Sequence, residues 1–338
     1  MERTQTRYRQ IEIGSDERFI LDKLLLAENA FVSGSMLAEK LGVSRTTIKG
    51  KLEKLRSAGF DFEAVRNRGY QLTKTPSVLH PILLKHHLST PIDILYFTVV
   101  DSTNSEAERL LSYGHKCPFV VTSNCQTNGR GRMRRDWYSA SADNLYLSVV
   151  FAPKSPPQKL QLFTLNAAIF LCQAIQKFVP NTPLKIKWPN DLHCEDRKFA
   201  GMLTEAKMDA DGIKALIFGI GINVNSNPME LPKELRQSAT SLYAIKGSEL
   251  PINLLTAHVI EAIYNAYDSC LAGHSATNLK KAWDCLDSLH NKFVCAKVGD
   301  YEISGIARGI DEQGALLIDC AGQIERVLAG DVHLKKSQ

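Results

Sequence analysis

The spacing of hydrophobic residues changes twice along this chain of 338 residues, and those two changes constrain its fold more than any other feature. In the first part, apolar residues recur at the intervals of amphipathic helices. From Asp93 onward, short apolar runs typical of buried strands alternate with long helical stretches, and after Asn291 only short strand-like segments follow. The length predicts two or three domains at about 150 residues each. We therefore predict domains at 1–75, 76–290 and 291–338.

The first domain has the pattern of a winged helix-turn-helix. Three helices are predicted, of which the third begins at the N-cap residue Ser44 and ends at Gly59. Two short strands follow, joined by the turn Arg66-Asn67-Arg68-Gly69, in which asparagine and glycine suit a tight hairpin. The predicted ranges are 15–27 for the first helix, a second helix that begins after 33–35, and 60–65 and 70–73 for the strands.

Basic residues are concentrated between positions 40 and 74, where nine Lys and Arg against three Asp and Glu give a local charge of +6. Such an excess suits a phosphate-bearing partner, with the third helix in the major groove of DNA and the turn arginines on phosphate or in the minor groove. A winged helix used only for protein contacts is the alternative. The predicted DNA-binding residues are Ser44, Arg45, Thr46, Thr47, Lys49, Arg66 and Arg68.

We predict that the whole chain is a multidomain protein of the α/β (α+β) class. Its middle part is predicted to contain a central mixed sheet. After Asn291, short strands with glycine-containing turns predict a small SH3-like barrel, and Gly330-Asp331 is assigned to a turn. The predicted central strands are 94–100, 119–123, 145–151, 184–188 and 215–224, and the predicted helices are 79–88, 160–178 and 254–271.

The densest chemical signal is the segment from Gly129 to Trp137, which holds two glycines and four arginines. Glycines allow a backbone to approach a ligand closely, and clustered arginines form a strong anion site. The segment lacks the third glycine of the dinucleotide fingerprint. A basic surface loop is the plain alternative. Trp137 is a candidate platform for an adenine ring.

Further motifs lie near predicted strand ends. Lys187 and Lys198 could place two cations near one phosphate, and hydroxyls and amides there suit hydrogen bonds to a heteroaromatic ring. Each motif alone could be a turn or a strand edge. The motifs are Asp101-Ser102-Thr103-Asn104, Gln126, Lys187-Trp188-Pro189-Asn190-Asp191, Arg197-Lys198-Phe199-Ala200-Gly201 and Gly219-Ile220-Gly221-Ile222-Asn223.

In this order the motifs resemble those of the biotin protein ligases. The winged helix in front and the segment 305–311 behind are similar to the bifunctional subgroup that joins biotin–[acetyl-CoA-carboxylase] ligase to a biotin operon repressor. The resemblance covers about residues 16–336. It implies a central domain related to class II synthetases and a C-terminal SH3-like barrel. One departure is Arg134, which stands where many relatives have glycine.

The resemblance implies a two-step reaction that uses ATP and Mg²⁺. Biotin and ATP form biotinyl-5′-adenylate, and a lysine of the biotin carboxyl carrier protein then takes the biotin. The implied catalytic residues are Arg132, Lys198, Arg135 and Lys187. The implied biotin-binding residues are Ser102, Thr103, Asn104, Gln126, Gly129, Arg130, Gly131, Arg132, Lys198, Gly201 and Gly219. The implied ATP and adenylate contacts are Arg132, Arg135, Trp137, Lys187 and Asn223, and Asp191 is a guess for the metal ligand.

The resemblance also implies operator DNA as a partner and a homodimer in the adenylate-bound state. The alternatives are a ligand-sensing repressor without catalysis, a lipoate-type ligase of the same fold, and a constitutive monomer whose wing is vestigial. The sequence has no apolar run of membrane-spanning length and no secretory h-region, so we expect a cytoplasmic protein without a membrane partner. Its eight cysteines are widely spaced, which favours neither a zinc site nor a disulfide framework.

Overall fold

The structure is a computed structural model that describes residues 14–210, 212–273 and 276–334, without the side chains of 276–278. The winged helix-turn-helix is confirmed, and each of its predicted elements is present. Gly42 ends the second helix in the left-handed conformation, with φ of 65°. The elements are α1 (Ser15–Leu26), α2 (Gly34–Leu41), α3 (Arg45–Ser57), β1 (Asp61–Val65) and β2 (Gly69–Lys74).

The central domain is built on a seven-stranded mixed sheet. Only the pair β3 and β4 is parallel among the described strands, and each other neighbouring pair is antiparallel. The strand order is β3-β4-β5-β9-β8-β7-β6. The elements are α4 (Pro81–His87), β3 (Asp93–Val100), α5 (Thr103–Ser112), β4 (Phe119–Gln126), β5 (Leu145–Phe151), α6 (Phe163–Gln176), β6 (Leu184–Lys187), β7 (Asp191–Cys194), β8 (Arg197–Asp209), β9 (Gly212–Ile222), α7 (Leu242–Lys246), α8 (Ile252–Leu271) and α9 (Ala276–Leu286).

The sequence patterns missed five of these elements: α5, β7, β8, α7 and α9. Strand β8 is the most consequential of them, since it spans thirteen residues and pairs with both β7 and β9. Its burial follows no strict alternation, and its second half is exposed. A strand of that kind lacks the period-two pattern on which strand prediction depends.

The last domain is a five-stranded antiparallel sheet in the order β13-β12-β11-β10-β14. Its final strand begins at Asp331, which the sequence placed in a turn, so that assignment was wrong. That strand pairs with the first strand of the domain and forms one edge of the sheet, of which β13 is the other. The elements are β10 (Phe293–Val298), β11 (Tyr301–Ile310), β12 (Leu316–Cys320), β13 (Gln323–Val327) and β14 (Asp331–Leu334).

Helix α4 belongs to two hydrophobic cores at once. Ile82 and Leu83 pack into the core of the winged helix, whereas Leu84 packs into the large core shared by the central sheet, α6, α8 and the last domain. His80, just before α4, meets Phe60 edge to face at 5.0 Å between ring centroids. Its backbone N–H donates to Asn253 Oδ1 of α8 at 2.8 Å.

Two further observations bear on the expectations from sequence. All eight cysteines are free thiols. Within the described ranges, no helix combines the length and the apolar character needed to cross a bilayer.

Candidate active site and nucleic-acid interface

Three glycines on neighbouring strands form the floor of a pocket at the centre of the sheet. Gly201 of β8 pairs directly with Gly221 of β9, and Gly219 lies two residues earlier on β9 and therefore on the same face. A side chain at 219 would collide with Asn104, and one at 221 would collide with the indole of Trp137. These close approaches explain why glycine is required at both positions.

One wall of the pocket is a network of hydroxyls and amides at the start of α5. Thr103 donates its backbone N–H to Gln126 Oε1 at 2.8 Å. The Ser148 hydroxyl donates to Asn104 Oδ1 at 2.6 Å and lies 2.8 Å from the Thr103 hydroxyl. These side chains fix one another without any ligand, so the wall is preorganised for a polar ring.

Arg130 and Glu205 close the pocket beside this wall. The guanidinium of Arg130 lies 3.1 Å from the Glu205 carboxylate, which also accepts from the Asn104 amide at 2.7 Å. Two buried donors that belong to the pocket, Arg130 Nε and Trp137 Nε1, have no hydrogen-bond partner among the described residues. Buried donors are normally satisfied, and this pair indicates a ligand rich in acceptors.

Residues 129–137, here called the arginine loop, lie closed over the pocket. The backbone N–H groups of Gly131 and Trp137 donate to the carbonyls of Arg135 and Gly129 at 2.7 and 2.9 Å. Met133 and Arg134 at its tip have φ of 54° and 59°. The left-handed region costs a non-glycine residue about 1 kcal/mol or more, so the closed tip is strained.

Trp137 occupies much of the pocket in this closed state. The remaining free space is about 50 Å³, which has room for a few water molecules only. A bicyclic ligand with a side chain therefore requires the indole and the arginine loop to move outward. Glycines at 129 and 131 supply flexible points for that movement.

A cluster of four cations and two carboxylates lies at the mouth of the pocket. Lys198 Nζ is 2.8 Å from Asp191 Oδ1 and 5.0 Å from the centroid of the Trp137 ring. Arg132 donates to Asn190 Oδ1 at 3.2 Å. The members of this charge cluster are Arg132, Arg135, Lys187, Lys198, Asp191 and Asp331.

The charges of this cluster act on one another. Burial lowers the pKa of Lys187, and the carboxylates of Asp191 and Asp331 oppose that effect. Burial likewise lowers the pKa of the Arg132 guanidinium, against the same two carboxylates. Arg135 forms an ion pair with Asp331, which brings the last domain to the mouth of the pocket. The cluster is suited to a polyanion because its cations exceed its carboxylates by two.

Most of the residues that the sequence singled out for the ligand site line this pocket, but five do not, one of them Asp191 of the charge cluster. Arg135 and Lys187 belong to the charge cluster at its mouth, and Gly129 lies at the base of the arginine loop. Asn223 is buried and donates its amide to the Thr240 carbonyl at 2.9 Å. The residues that line the pocket are Ser102, Thr103, Asn104, Gln126, Arg130, Gly131, Arg132, Trp137, Lys198, Gly201 and Gly219.

Sequence reasoning missed Ser148, Asn190, Glu205, Gly221 and Asp331 as site residues. The pairing of β8 with β9 decides which face Glu205 and Gly221 occupy, and β8 was not predicted. Asp331 lies in a different domain from the pocket and reaches it only through the packing of the two domains. Glycine spacing at 219 and 221 was the one local signal that could have identified Gly221.

The seven predicted DNA-binding residues are all exposed on the winged helix, and some already have partners. Ser44 caps α3, and its hydroxyl accepts the N–H of Thr47 at 3.0 Å. Arg45 donates to the Ser35 hydroxyl, and Arg68 lies 4.1 Å from the centroid of the Phe31 ring. The remaining predicted contacts are exposed, and they are Thr46, Lys49 and Arg66.

Part of the basic excess in this domain is neutralised internally. Lys51 lies 3.0 Å from Asp16 and 3.5 Å from Glu17 of α1, and Lys54 lies 3.3 Å from Glu17. The count between residues 40 and 74 omitted these acids because they precede the range. The positive surface of the domain is therefore smaller than the sequence suggested.

Comparison with known proteins agrees with this architecture. Residues 96–225 match the model of the Biotin/lipoate A/B protein ligase family, residues 17–71 match an HTH domain, and residues 290–335 match the Biotin protein ligase C terminal domain. A biotin protein ligase from Aquifex aeolicus, solved in complex with biotin and ATP, superposes with a TM-score of 0.62 at 28% identity. The match covers 72% of this chain and 99% of that one.

The mixed sheet, the glycine-floored pocket and these matches place the central domain in the class of biotin/lipoate protein ligases. The chain is 32% identical over 311 residues to the bifunctional ligase/repressor BirA of Bacillus subtilis, covering 91% of this chain and 95% of that protein. It is also 32% identical to the same-named protein of Escherichia coli, covering 93% and 96%. The chain belongs to this family of bifunctional ligase/repressors.

Proposed function

We propose that this protein is an ATP-dependent biotin protein ligase that also represses transcription at a biotin operator. The observation that carries the ligase function is the charge cluster at the mouth of a polar pocket. A polar pocket with clustered cations at its mouth is suited to bring a carboxylate substrate and a polyphosphate together. The name of the Aquifex aeolicus structure, which includes biotin and ATP, supports the same pair of substrates.

Biotin is proposed to bind in the inner part of the pocket. Its ureido ring carries two N–H donors and a carbonyl acceptor, and the hydroxyl and amide groups of the preorganised wall complement them. The unpartnered Arg130 Nε donor would then find an acceptor on the ligand. The proposed contacts are Ser102, Thr103, Asn104, Gln126, Gly129, Arg130, Gly131, Arg132, Lys198, Gly201 and Gly219.

The first chemical step is adenylation. A biotin carboxylate oxygen attacks the α-phosphorus of ATP, the bond to the β-phosphate oxygen breaks, and pyrophosphate leaves. Two anions must approach each other, so cations aimed at the developing charge lower the barrier. We assign this stabilisation of negative charge to Arg132 and Lys198, and we propose that Arg135 and Lys187 contact the phosphates of ATP. Trp137 and Asn223 are proposed to contact adenine, and the latter would have to release Thr240 to do so.

In the second step, the amine of a carrier-protein lysine attacks the acyl carbon of biotinyl-5′-adenylate. The amine loses a proton as the amide bond forms, the bond between the acyl carbon and the phosphate oxygen breaks, and AMP leaves. Water would compete for the same carbon, and we propose that the arginine loop, which must open to admit the ligand, folds back over the adenylate and excludes water.

Magnesium is proposed to accompany ATP. Among the described residues no group of three His, Cys, Asp or Glu side chains could hold a metal ion. This fits Mg²⁺, which is usually held by one or two carboxylates together with substrate phosphates. We propose Asp191 as such a carboxylate, and the ion would neutralise part of the phosphate charge.

The ligase proposal is tested by biotin-dependent exchange of labelled pyrophosphate into ATP. We expect Lys198→Ala and Arg132→Ala each to lower the rate by ~10²-fold, the cost of removing one electrostatic donor. Lys207→Ala is the matched control, since Lys207 lies on the same strand and is also paired with a carboxylate, Glu108, at 3.0 Å. Near-normal exchange in both active-site variants would contradict the assignment.

Transfer of labelled biotin to a carrier domain separates the alternatives. A ligand-sensing repressor without catalysis would transfer nothing, and a lipoate-type ligase would transfer lipoate in preference to biotin. The proposed protein transfers biotin and needs ATP to do so.

The repressor function is proposed on the winged helix, with contacts from Ser44, Arg45, Thr46, Thr47, Lys49, Arg66 and Arg68. We propose biotinyl-5′-adenylate as the corepressor and a homodimer as the form that binds the operator.

The division of the chain into domains at 1–75, 76–290 and 291–338 is retained as a proposal. A cytoplasmic location is proposed because ATP, carrier protein and operator DNA occur there, and eight free thiols are typical of a reducing compartment.

A further inference from the structure

Helix α3 carries a glycine that the fold of the winged helix does not require. Gly50 is the sixth of its thirteen residues and is exposed. A Cβ atom added at Gly50 would meet nothing within 4 Å, and its φ lies outside the left-handed region. Glycine is among the poorest helix formers, so almost any other residue would suit the isolated domain better. Its presence calls for a reason outside the domain.

Gly50 lies on the side of α3 that faces away from the protein. Successive helical residues are about 100° apart, and the buried Ile48 and Leu52 are each two positions from Gly50, so Gly50 is about 160° around the helix from both. Thr46, one turn earlier, and Glu53, almost one turn later, are exposed on the same side. Gly50 is therefore near the centre of the outer face of α3.

A helix fits the major groove of DNA with little clearance. The groove is about 12 Å wide, and a helix with its side chains is about 10–12 Å across. A residue without a side chain at the centre of the inserted face lets the helix backbone come closer to the base pairs. The residues on either side of it then reach the base edges from a shorter distance.

We propose that Gly50 is the point at which α3 approaches the base pairs most closely, and that its missing side chain determines operator specificity. At this depth the Thr46 hydroxyl and the Lys49 ammonium reach base edges, as side chains near the N-terminal end of a recognition helix do. The inference rests on the proposed DNA-binding function and names a specificity-determining residue within it.

The probe is a pool of short DNA duplexes with a randomised centre, from which the full-length wild-type chain, supplied with biotin and ATP, selects its preferred sequence. The affinities of Gly50→Ala and Gly50→Leu for the selected duplex and for the unselected pool are then measured. We expect the specific affinity to fall about 10-fold for alanine and about 100-fold for leucine, the range of a lost base contact. Affinity for the unselected pool should fall less, because phosphate contacts dominate it.

Ser57→Ala is the matched control, since it also replaces an exposed residue of α3 with a better helix former, but about 10 Å further along the axis. Its specific affinity should equal that of the wild type. Thermal unfolding provides a readout of the fold, and Gly50→Ala should unfold at the same temperature as the wild type or higher. An earlier unfolding would show that the fold itself needs the glycine and would overturn the proposal.

Two binding results distinguish a failure of this inference from a failure of the proposed DNA-binding function. If the wild type selects a sequence and both Gly50 variants bind it as tightly, the inference is wrong and DNA binding stands. If the wild type selects no sequence, the proposed operator binding is itself wrong and the inference falls with it.

Discussion

Lys187 and Lys198 lie at the same mouth of one pocket, yet their surroundings differ. Lys198 is held by Asp191 at 2.8 Å and lies close to the Trp137 ring. Lys187 is more deeply placed, and burial lowers its pKa despite the nearby carboxylates of Asp191 and Asp331. A cation whose charge is costly to bury, beside other charged groups at the mouth of a pocket, is typical of a catalytic site.

The lowered pKa of Lys187 predicts an alkaline limit to activity. In its proposed role Lys187 acts while protonated, and its charge is lost at a lower pH than the charge of an exposed lysine. The value of kcat/KM for ATP should therefore fall as the pH rises through that pKa, because this parameter reports on the free enzyme. Lys187→Arg stays protonated throughout and should move the fall to higher pH.

The control for this prediction is Lys185→Arg, on the same strand two residues earlier. The Lys185 ammonium donates to the Cys285 carbonyl at 3.0 Å and takes no part in the charge cluster. Its pH profile should match that of the wild type. An unchanged profile for Lys187→Arg would mean that another group sets the alkaline limit.

At the scale of elements, α4 decides how separable the winged helix is. Ile82 and Leu83 complete the core of the first domain, although they follow the proposed boundary at residue 75. The segment before α4 is held to α8 by two hydrogen bonds of Asn253, to the N–H of His80 and to the carbonyl of Val78. Helix α4 is therefore part of the central domain, and it also packs against the hydrophobic core of the first domain.

Removal of residues 1–75 should abolish DNA binding and leave measurable adenylate formation, because the pocket residues all lie beyond residue 100. The cut also uncovers Ile82 and Leu83, and burying such side chains is worth about 2 kcal/mol each. We expect the truncated chain to aggregate at a lower temperature than the full chain. Light scattering during a thermal ramp measures this directly.

The matched variant is the truncated chain with Ile82→Gln and Leu83→Gln. It should regain resistance to aggregation and keep the same pyrophosphate exchange as the plain truncation. If neither truncated form makes adenylate, the boundary near Thr75 is wrong and the first domain contributes to the pocket.

At the scale of the whole molecule, the arginine loop is connected to an open edge of the sheet. Thr127 and Asn128, just before the loop, donate their backbone N–H groups to the carbonyls of Val100 and Asp101, at and just after the end of β3. Among the described strands β3 pairs with β4 alone, and Val99 on it is 44% exposed. A ligand that orders the loop would thus order an edge strand, and a dimer formed there has less disorder to remove.

We therefore expect a non-hydrolysable analogue of biotinyl-5′-adenylate to convert monomers to dimers. Sedimentation velocity with and without the analogue measures the change. Val99→Lys should weaken the dimer, because a lysine on an edge strand opposes pairing with another strand. A dimer also explains operator binding, since one winged helix reads only a half-site.

The result that would contradict this prediction is a monomer at micromolar concentration with the analogue present, together with operator affinity indifferent to the analogue. The proposed ligase activity would then stand, and the proposed repressor function would be wrong. A dimer that forms equally well in Val99→Lys would move the interface away from β3 and leave the corepressor role in place.

The sequence by itself determined the helices and hairpin of the winged helix, the mixed central domain and the small β-domain, through local patterns such as the hydrophobic face of α3 and the Ser44 cap. Its motifs, through their resemblance to those of the biotin protein ligases, also singled out eleven residues that line the pocket. Local patterns of this kind are written in consecutive residues.

Only the tertiary structure decided the site. It placed Gly201 opposite Gly221, turned Glu205 toward Arg130, and joined Arg135 to Asp331 across 196 positions of sequence. It also showed that acids of α1 neutralise lysines of α3. The physical reason is that strand register and domain packing are set by the summed burial of many distant side chains, whereas each residue involved carries no local signal of its partner.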